Sequence, residues 1–317
     1  MKPVLVEQSS KIWVKHKQQR VGNMKRIGNL YSKIYDIDNL RLAHKNARRG
    51  KGWYHEVKMI NNDPDKYLNK LQHSLINKTY NTSDYITFMR TEGRKVREIF
   101  KLPYYPDRIC QWAIIQVIEK HLINYVTSDT YSAIPGRGVH KALRKICNAV
   151  NFDRYGTMYC LKLDVNKYYP SVNHSILKKI LRRIFKDKDL LWLLDEIIDS
   201  TEGDTGIPIG NYMSQWFGNI YLAIFDHWIK EVMGIKYYYR YMDDIVILHS
   251  DKGFLHNLLR EIQVYFDKEL ALKVKKNWQV FPTEIRGIDF LGYRIFPGYR
   301  LLRKSTLKNM KCKVNKI

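Results

Sequence analysis

The sequence predicts an α+β protein whose sheet is covered on one side by helices. Two kinds of periodicity alternate along the chain: short segments with apolar residues at every second position, and longer ones at helical spacing. Apolar residues make up 45% of 317, enough for a sizeable core. No apolar run reaches about 18 residues, so no membrane-spanning helix is expected.

Residues 1–60 hold 14 Lys/Arg against 4 Asp/Glu and read as one or two helices on a basic arm. Asp63-Pro64 starts a helix that runs Asp65 to Asn77, with Leu68, Leu71, Leu75 and Ile76 forming its apolar stripe. Tyr85–Met89 and Val96–Leu102 read as strands joined by a turn at Gly93. A helix from Arg108 to Tyr125 presents Ile109, Trp112, Ile115, Ile118 and Leu122. After the break at Gly136-Arg-Gly, His140–Val150 is helical and Tyr159–Val165 is a strand. In that strand Tyr159, Leu161 and Leu163 face one way, and Cys160, Lys162 and Asp164 the other. Helices follow at Ser175–Phe185, Asp189–Ser200 and Tyr212–Met233, the last opened by the loop Gly206-Ile-Pro-Ile-Gly. Lys236–His249 is a hairpin bent at Met242-Asp-Asp, and Phe254–Leu270 is an amphipathic helix. Strand-like pieces at Trp278–Pro282 and Phe290–Phe296 precede a tail in which residues 293–317 hold 8 Lys/Arg and no acid.

The chain has 55 Lys+Arg and 31 Asp+Glu, a net charge of +24. Such an excess, interleaved with 23 Tyr and 7 Trp, points to a nucleic-acid partner with phosphate contacts and stacking surfaces. The four cysteines have neither C-x-x-C nor zinc-ligand spacing and read as buried small hydrophobes. Met1–Ser10 lacks an apolar core and a cleavage-like site, so a reducing cytoplasmic compartment is expected.

Two core strands carry carboxylates where apolar residues belong. Asp164 ends Leu161-Lys-Leu-Asp, and Asp243-Asp244 interrupts Tyr239-Arg-Tyr-Met-Asp-Asp-Ile-Val-Ile-Leu. Burying ionised carboxylates costs several kcal/mol unless a cation accompanies them. Asp243 and Asp244 can share a site only at a bend, with Asp243 the direct ligand beside Asp164. Hard oxygen donors of this kind suit Mg²⁺, with Mn²⁺ as an alternative. A lone aromatic-x-Asp-Asp string arises by chance roughly one time in fifteen in such a chain, so the surrounding blocks decide its meaning.

Those blocks occur in a fixed order: Leu161-Lys-Leu-Asp-Val-Asn-Lys-Tyr-Tyr-Pro-Ser-Val, Ile207-Pro-Ile-Gly-Asn-Tyr-Met-Ser-Gln-Trp-Phe, Tyr241-Met-Asp-Asp and Phe290-Leu-Gly-Tyr. Upstream stand Arg97-Glu-Ile through Pro106-Asp-Arg-Ile-Cys-Gln, and Tyr131-Ser-Ala-Ile-Pro-Gly-Arg-Gly-Val-His-Lys-Ala-Leu. The series resembles the reverse transcriptases over roughly residues 85–300. The resemblance implies a right-hand polymerase fold with an antiparallel palm sheet backed by helices. On this reading residues 1–60 are a basic helical extension, 61–155 the fingers, 156–298 the palm and 299–317 the start of a basic thumb that is short or truncated.

The family usually has Gln before the Gly of the fourth block and Pro after its Ser. Ile209 and Gln215 stand there instead, a form that resembles the enzymes of diversity-generating retroelements, which copy RNA with errors at adenines. The resemblance implies two metal ions held by Asp164, Asp243, Asp244 and the Val165 carbonyl. It makes Tyr169 the steric gate against ribonucleotides, and Arg97, with Arg90 across the hairpin, the triphosphate contact. Gly210 would allow close approach to the template–dNTP pair, Ser214 and Gln215 would open the helix behind it, and Lys276 loosely matches the lysine that protonates pyrophosphate. It implies an RNA template, a DNA or RNA primer, dNTPs and a small oligomeric accessory protein as partners. Two other classes share these blocks: another prokaryotic reverse transcriptase (retron, group II intron-like or phage-defence), and a catalytically idle RNA-binding relative. Ile209 and Gln215 favour the retroelement type, and the intact carboxylates argue against an idle protein.

Overall fold

A computed structural model of the chain describes residues 25–92 and 95–314. The Gly93 turn and the first 24 residues of the expected basic arm lie outside the described residues. In chain order the first elements are α1 (Tyr31–Tyr35), α2 (Ile37–Ala47), α3 (His55–Asn62), α4 (Pro64–Ile76), β1 (Ile86–Glu92), β2 (Lys95–Lys101), α5 (Ile109–Tyr125) and α6 (Val139–Phe152). Then come β3 (Tyr159–Asp164), α7 (Tyr168–Ser171), α8 (His174–Ile184), α9 (Lys188–Asp199), α10 (Tyr212–His227), β4 (Tyr237–Tyr241), β5 (Asp244–His249) and α11 (Lys252–Leu270). The last are β6 (Gln279–Pro282), α12 (Thr283–Arg286), β7 (Ile288–Phe290), β8 (Tyr293–Phe296), β9 (Tyr299–Leu302) and α13 (Lys304–Val314). No helix among the described residues is long and apolar enough to cross a membrane.

These elements form two interleaved units. One takes 127–168 and 223–314; the other takes 25–126 and 169–222. The expected boundaries near 60 and 155 therefore differ from the contact pattern. Residues 127–155 pack with the carboxylate strands, and residues 25–60 are not an arm beyond the described start: Ile34, Leu40, Ala43, Val57 and Ile60 are wholly buried. Charged residues between these apolar positions keep their heads in water, which disguised the stripe.

The carboxylate unit is built on a four-stranded sheet in the order β4-β5-β3-β6, antiparallel throughout. Ile245, Val246, Ile247 and Leu248 are all buried, so both faces of β5 are covered. On one face Cys160, Tyr239, Val246, Leu248 and Phe281 pack with Ala142, Leu143, Ile146 and Val150 of α6 and with Ile288, Phe290 and Ile295 of the small sheet β7-β8-β9. On the other, Phe225 meets Tyr238, Tyr265 and Phe266 with ring centroids 4.7–6.1 Å apart. The expectation of helices on one side is thus corrected: α6 and α11 lie on opposite faces. Residues 299–302 also belong here, because Pro297-Gly298, with Gly298 at φ 88, turns β9 back onto β8. The boundary expected at 299 thus falls inside this small sheet, between β8 and β9.

The second unit gathers α1–α5, the β1–β2 hairpin, α7 from Tyr169, α8, α9 and most of α10. Several of its helices start on side-chain caps. Asp63 accepts from Lys66 N, Asn173 from Ile176 N and Asp187 from Leu190 N, at 3.0–3.2 Å. Helix α5 buries Ile109, Cys110, Gln111, Ala113, Ile114, Ile115, Ile118 and Leu122, more than the single stripe expected.

Candidate catalytic site

Strand β3 enters the sheet through Leu161 and Leu163, buried on one face, and leaves it with Lys162 and Asp164 on the other. The register sets Asp164 directly opposite Asp244, so both carboxylates emerge on the same face. Tyr241 pairs with Asp244, which leaves Met242 and Asp243 as a two-residue turn. Met242 is left-handed, with φ 57, a conformation a two-residue hairpin demands and an L-residue with a long side chain adopts under strain. The turn places Asp243 near enough to Asp164 for the two charges to act on each other. The chain thus bends at Met242-Asp243, between the paired residues Tyr241 and Asp244.

Burial, then the charge of Asp164, pushes the Asp243 carboxyl from its ordinary 3.8 up to about 6. Burial likewise raises Asp244 to about 6; Lys162 opposes the rise and Asp164 adds to it. Two lysines partly neutralise the group. Lys162 Nζ lies 3.4 Å from Asp244 Oδ1 and also donates to the Asp289 carbonyl, while Lys275 Nζ lies 3.3 Å from Asp164 Oδ2. Asp244 Oδ1 is nevertheless buried without a hydrogen bond. Among the described residues no three His, Cys, Asp or Glu side chains converge closely enough to hold an ion by themselves. The donor set is a cluster of carboxylates in which Asp244 Oδ1, ion-paired with Lys162, accepts no hydrogen bond, and it fits a divalent cation completed by other oxygens. Val165, next to Asp164, is buried and bridges to Val274.

That bridge brings the lysine run to the site. Lys275 N donates to the Asp164 carbonyl at 2.8 Å, and Asn166 N to Lys273 O at 2.8 Å. Lys275 is half-buried beside Asp164, whereas Lys276 is exposed. Of the run, Lys275 is the lysine that stands beside Asp164, while Lys276 lies exposed in the turn that follows.

Behind the turn lies a group that the motif reading passed over. Arg240 and Asp226 are both wholly buried and joined through Nε–Oδ1 at 2.6 Å and Nη2–Oδ2 at 2.5 Å. Tyr238 Oη and Thr130 Oγ1 also donate to Asp226, at 2.5 and 2.8 Å. Burial alone would lower the Arg240 pKa, but the Asp226 charge wins and holds it raised. The sequence did contain a signal, since an acid in Leu222-Ala-Ile-Phe-Asp and an arginine among Tyr237-Tyr-Tyr-Arg-Tyr must find partners if buried.

In the second unit the hairpin sets Arg90 directly opposite Arg97, both exposed. The Ile207-Pro-Ile-Gly loop docks on β2 through Phe100 N to the Ile209 carbonyl at 2.8 Å. Gly210 has φ 109, and a Cβ there would stand 2.9 Å from Ile99 Cγ2 and 3.1 Å from the Phe100 carbonyl oxygen. The hairpin contact thus requires the glycine by itself. Tyr169 is half-buried and its carbonyl accepts from Ile207 N at 3.0 Å, while neighbouring Tyr168 is buried. Gln215 is exposed on the first turn of α10, and Ser214 beside it is buried.

Comparisons with known proteins agree with this architecture. A family model described as reverse transcriptase (RNA-dependent DNA polymerase) matches residues 90–295. Protein YkfC of Escherichia coli K12 is 23% identical over 235 residues, covering 61% of this chain and 62% of that protein. A putative COX1/OXI3 intron 2 protein of Saccharomyces cerevisiae is 22% identical over 271 residues, covering 62% and 31%. The chain spans less than two thirds of the length of either relative. Among solved structures, apo telomerase of Candida tropicalis truncated from its C-terminal domain superposes with a TM-score of 0.55 at 12% identity, covering 78% of this chain and 60% of that one. Telomerase of Candida albicans, solved with a fragment of telomeric RNA, gives 0.53 at 12% identity, covering 75% and 51%. These likenesses show the right-hand polymerase fold, and with a family match over more than half its length the chain belongs to the reverse transcriptase family.

Proposed function

We propose that this chain is an RNA-directed DNA polymerase that makes cDNA by two-metal nucleotidyl transfer, with errors at template adenines, in the mutagenic retrohoming of a diversity-generating retroelement. The observation that carries the polymerase reading is the register Asp164–Asp244 with Asp243 turned onto Asp164. Mg²⁺, or Mn²⁺ in its place, would be held by Asp164 and Asp243 with Asp244 and the Val165 carbonyl in support. Such ions lower the pKa of an attacking hydroxyl and stabilise a leaving pyrophosphate. The chain's own residues do the rest. The carboxylates orient the donor set, and Lys275, in place of Lys276, is the cation beside Asp164 suited to a leaving phosphate. Arg90 and Arg97 offer guanidinium forks for a triphosphate. The half-buried ring of Tyr169 serves as the gate against a 2′-hydroxyl.

The retroelement assignment is supported by Ile209 and Gln215, which depart from the common family form. Ile209 has no side-chain donor or acceptor, so it supplies shape without directional restraint; a lost hydrogen bond of this sort is worth on the order of 1 kcal/mol. An RNA template, a DNA or RNA primer, dNTPs and a small oligomeric accessory protein are the proposed partners. Primer extension on an RNA template, followed by sequencing of the product, tests both levels. Synthesis with errors concentrated opposite adenines, reduced by Ile209→Gln, is expected. Equal error at all four bases would remove the retroelement reading and leave a plain reverse transcriptase.

A further inference from the structure

We propose that Arg240 is a positioning residue for the catalytic turn, fixing the carboxylates of Asp243 and Asp244 in register with Asp164 through the Met242 carbonyl. Two arms of its guanidinium, Nε and Nη2, grip both oxygens of Asp226. The third, Nη1, donates to the Met242 carbonyl oxygen at 3.0 Å. Asp226 is itself held by Tyr238 and Thr130, so the fork has an anchored base. The main chain of Arg240 is clamped as well: its N–H donates to the Asp129 carbonyl and its carbonyl accepts from Tyr131 N, both at 3.0 Å.

The restrained atom is well chosen. Met242 occupies the left-handed region and is followed directly by two carboxylates that repel Asp164. A strained turn bearing like charges relaxes outward unless something opposes it. A buried ion pair serving only stability gains little over apolar packing. Here the third arm gives the pair a task that packing cannot perform, because an apolar side chain offers no donor to Met242. Lysine would keep the charge opposite Asp226, but a single ammonium lacks the planar fork that reaches Asp226 and Met242 together.

The proposal rests on the metal-binding reading of the carboxylates, and its test separates the two. Mn²⁺ binding to the full chain, without nucleic acid or dNTP, is followed by electron paramagnetic resonance for wild type, Arg240→Lys, Tyr238→Phe and Asp243→Asn. Thermal unfolding is recorded alongside. Arg240→Lys is expected to weaken Mn²⁺ affinity about tenfold, and to slow single-turnover incorporation at saturating dNTP with little change in the KM for dNTP. Tyr238→Phe removes a donor from the same network but leaves the Met242 contact; it is expected to lower the melting temperature with Mn²⁺ affinity within twofold of wild type. Wild-type Mn²⁺ affinity in Arg240→Lys, or an equal loss in Tyr238→Phe, overturns the positioning role. Unaltered Mn²⁺ binding in Asp243→Asn overturns the metal reading instead. Should Arg240→Lys fail to fold, Asp226→Asn loosens the anchor while keeping the Nη1 contact. A roughly threefold loss of affinity is then expected, and no loss refutes the proposal.

Discussion

Replacing Asp243 with asparagine should stabilise the protein in the absence of divalent cations while removing its catalysis. In the folded chain burial and the neighbouring Asp164 raise the Asp243 carboxyl from 3.8 to about 6. An acid whose pKa is higher folded than unfolded destabilises the fold once both states are ionised. The penalty is absent below pH 4, grows between pH 4 and 6, and is complete above pH 6. Two pKa units correspond to about 3 kcal/mol, and sharing with Asp164 and partial solvent contact reduce this to roughly 1–2 kcal/mol. Asparagine carries no charge, and its amide can donate to the Asp164 carboxylate. For a chain of this size the gain amounts to about 2–6 °C in melting temperature. The assay is thermal unfolding of wild type and Asp243→Asn in chelator, at pH 7.5 and pH 4.5. The variant should melt higher at pH 7.5, lose most of that advantage at pH 4.5, and gain less than wild type from added Mg²⁺. A variant that melts lower than wild type at pH 7.5 in chelator refutes the reasoning, since it would mean that the carboxylate is not held against repulsion.

Other outcomes follow from the second unit. Gly210→Ala places a methyl 2.9 Å from Ile99 at φ 109, so it should destabilise by about 2 kcal/mol or more, read as a lowered melting temperature. Tyr169→Ala should raise ribonucleotide incorporation at least tenfold relative to dNTP, measured by competition in primer extension; unchanged discrimination removes the gate assignment. Arg97→Ala should raise the KM for dNTP several-fold with a smaller effect on kcat, and RNA affinity of the full chain should fall steeply with salt, as its +24 charge requires.

Much of this was legible in the residues. The strand Tyr159–Asp164 declared itself by alternation, and the hairpin by the bend at Met242-Asp-Asp between an aromatic and an aliphatic run. Asp63-Pro64 announced a helix expected from Asp65 to Asn77, and it runs Pro64–Ile76. What escaped was long-range. Nothing local says that residues 127–155 pack with 223–314, or that β4 lies at the sheet edge where residues 129–131 bridge it. The choice between Lys275 and Lys276 depended on a one-residue register, set by the Val165–Val274 bridge. Arg240 went unread because the motif begins at Tyr241, although an arginine inside an aromatic strand is costly to bury without a partner. Gly210 was legible as a special position, but its requirement comes from Ile99 and Phe100, more than 100 residues earlier.

The central claim is that Asp164, Asp243 and Asp244 form a divalent-metal site for nucleotidyl transfer on an RNA template. It is tested most directly by single-turnover dNTP incorporation on a primed RNA as Mg²⁺ is titrated, for wild type, Asp164→Asn and Asp243→Asn. The account predicts Mg²⁺-dependent extension by wild type. Both variants should lose at least a thousandfold in rate, about 4 kcal/mol of transition-state stabilisation, while remaining folded and bound to RNA. Extension by either variant at near-wild-type rate, or extension by wild type in the presence of chelator, would contradict it.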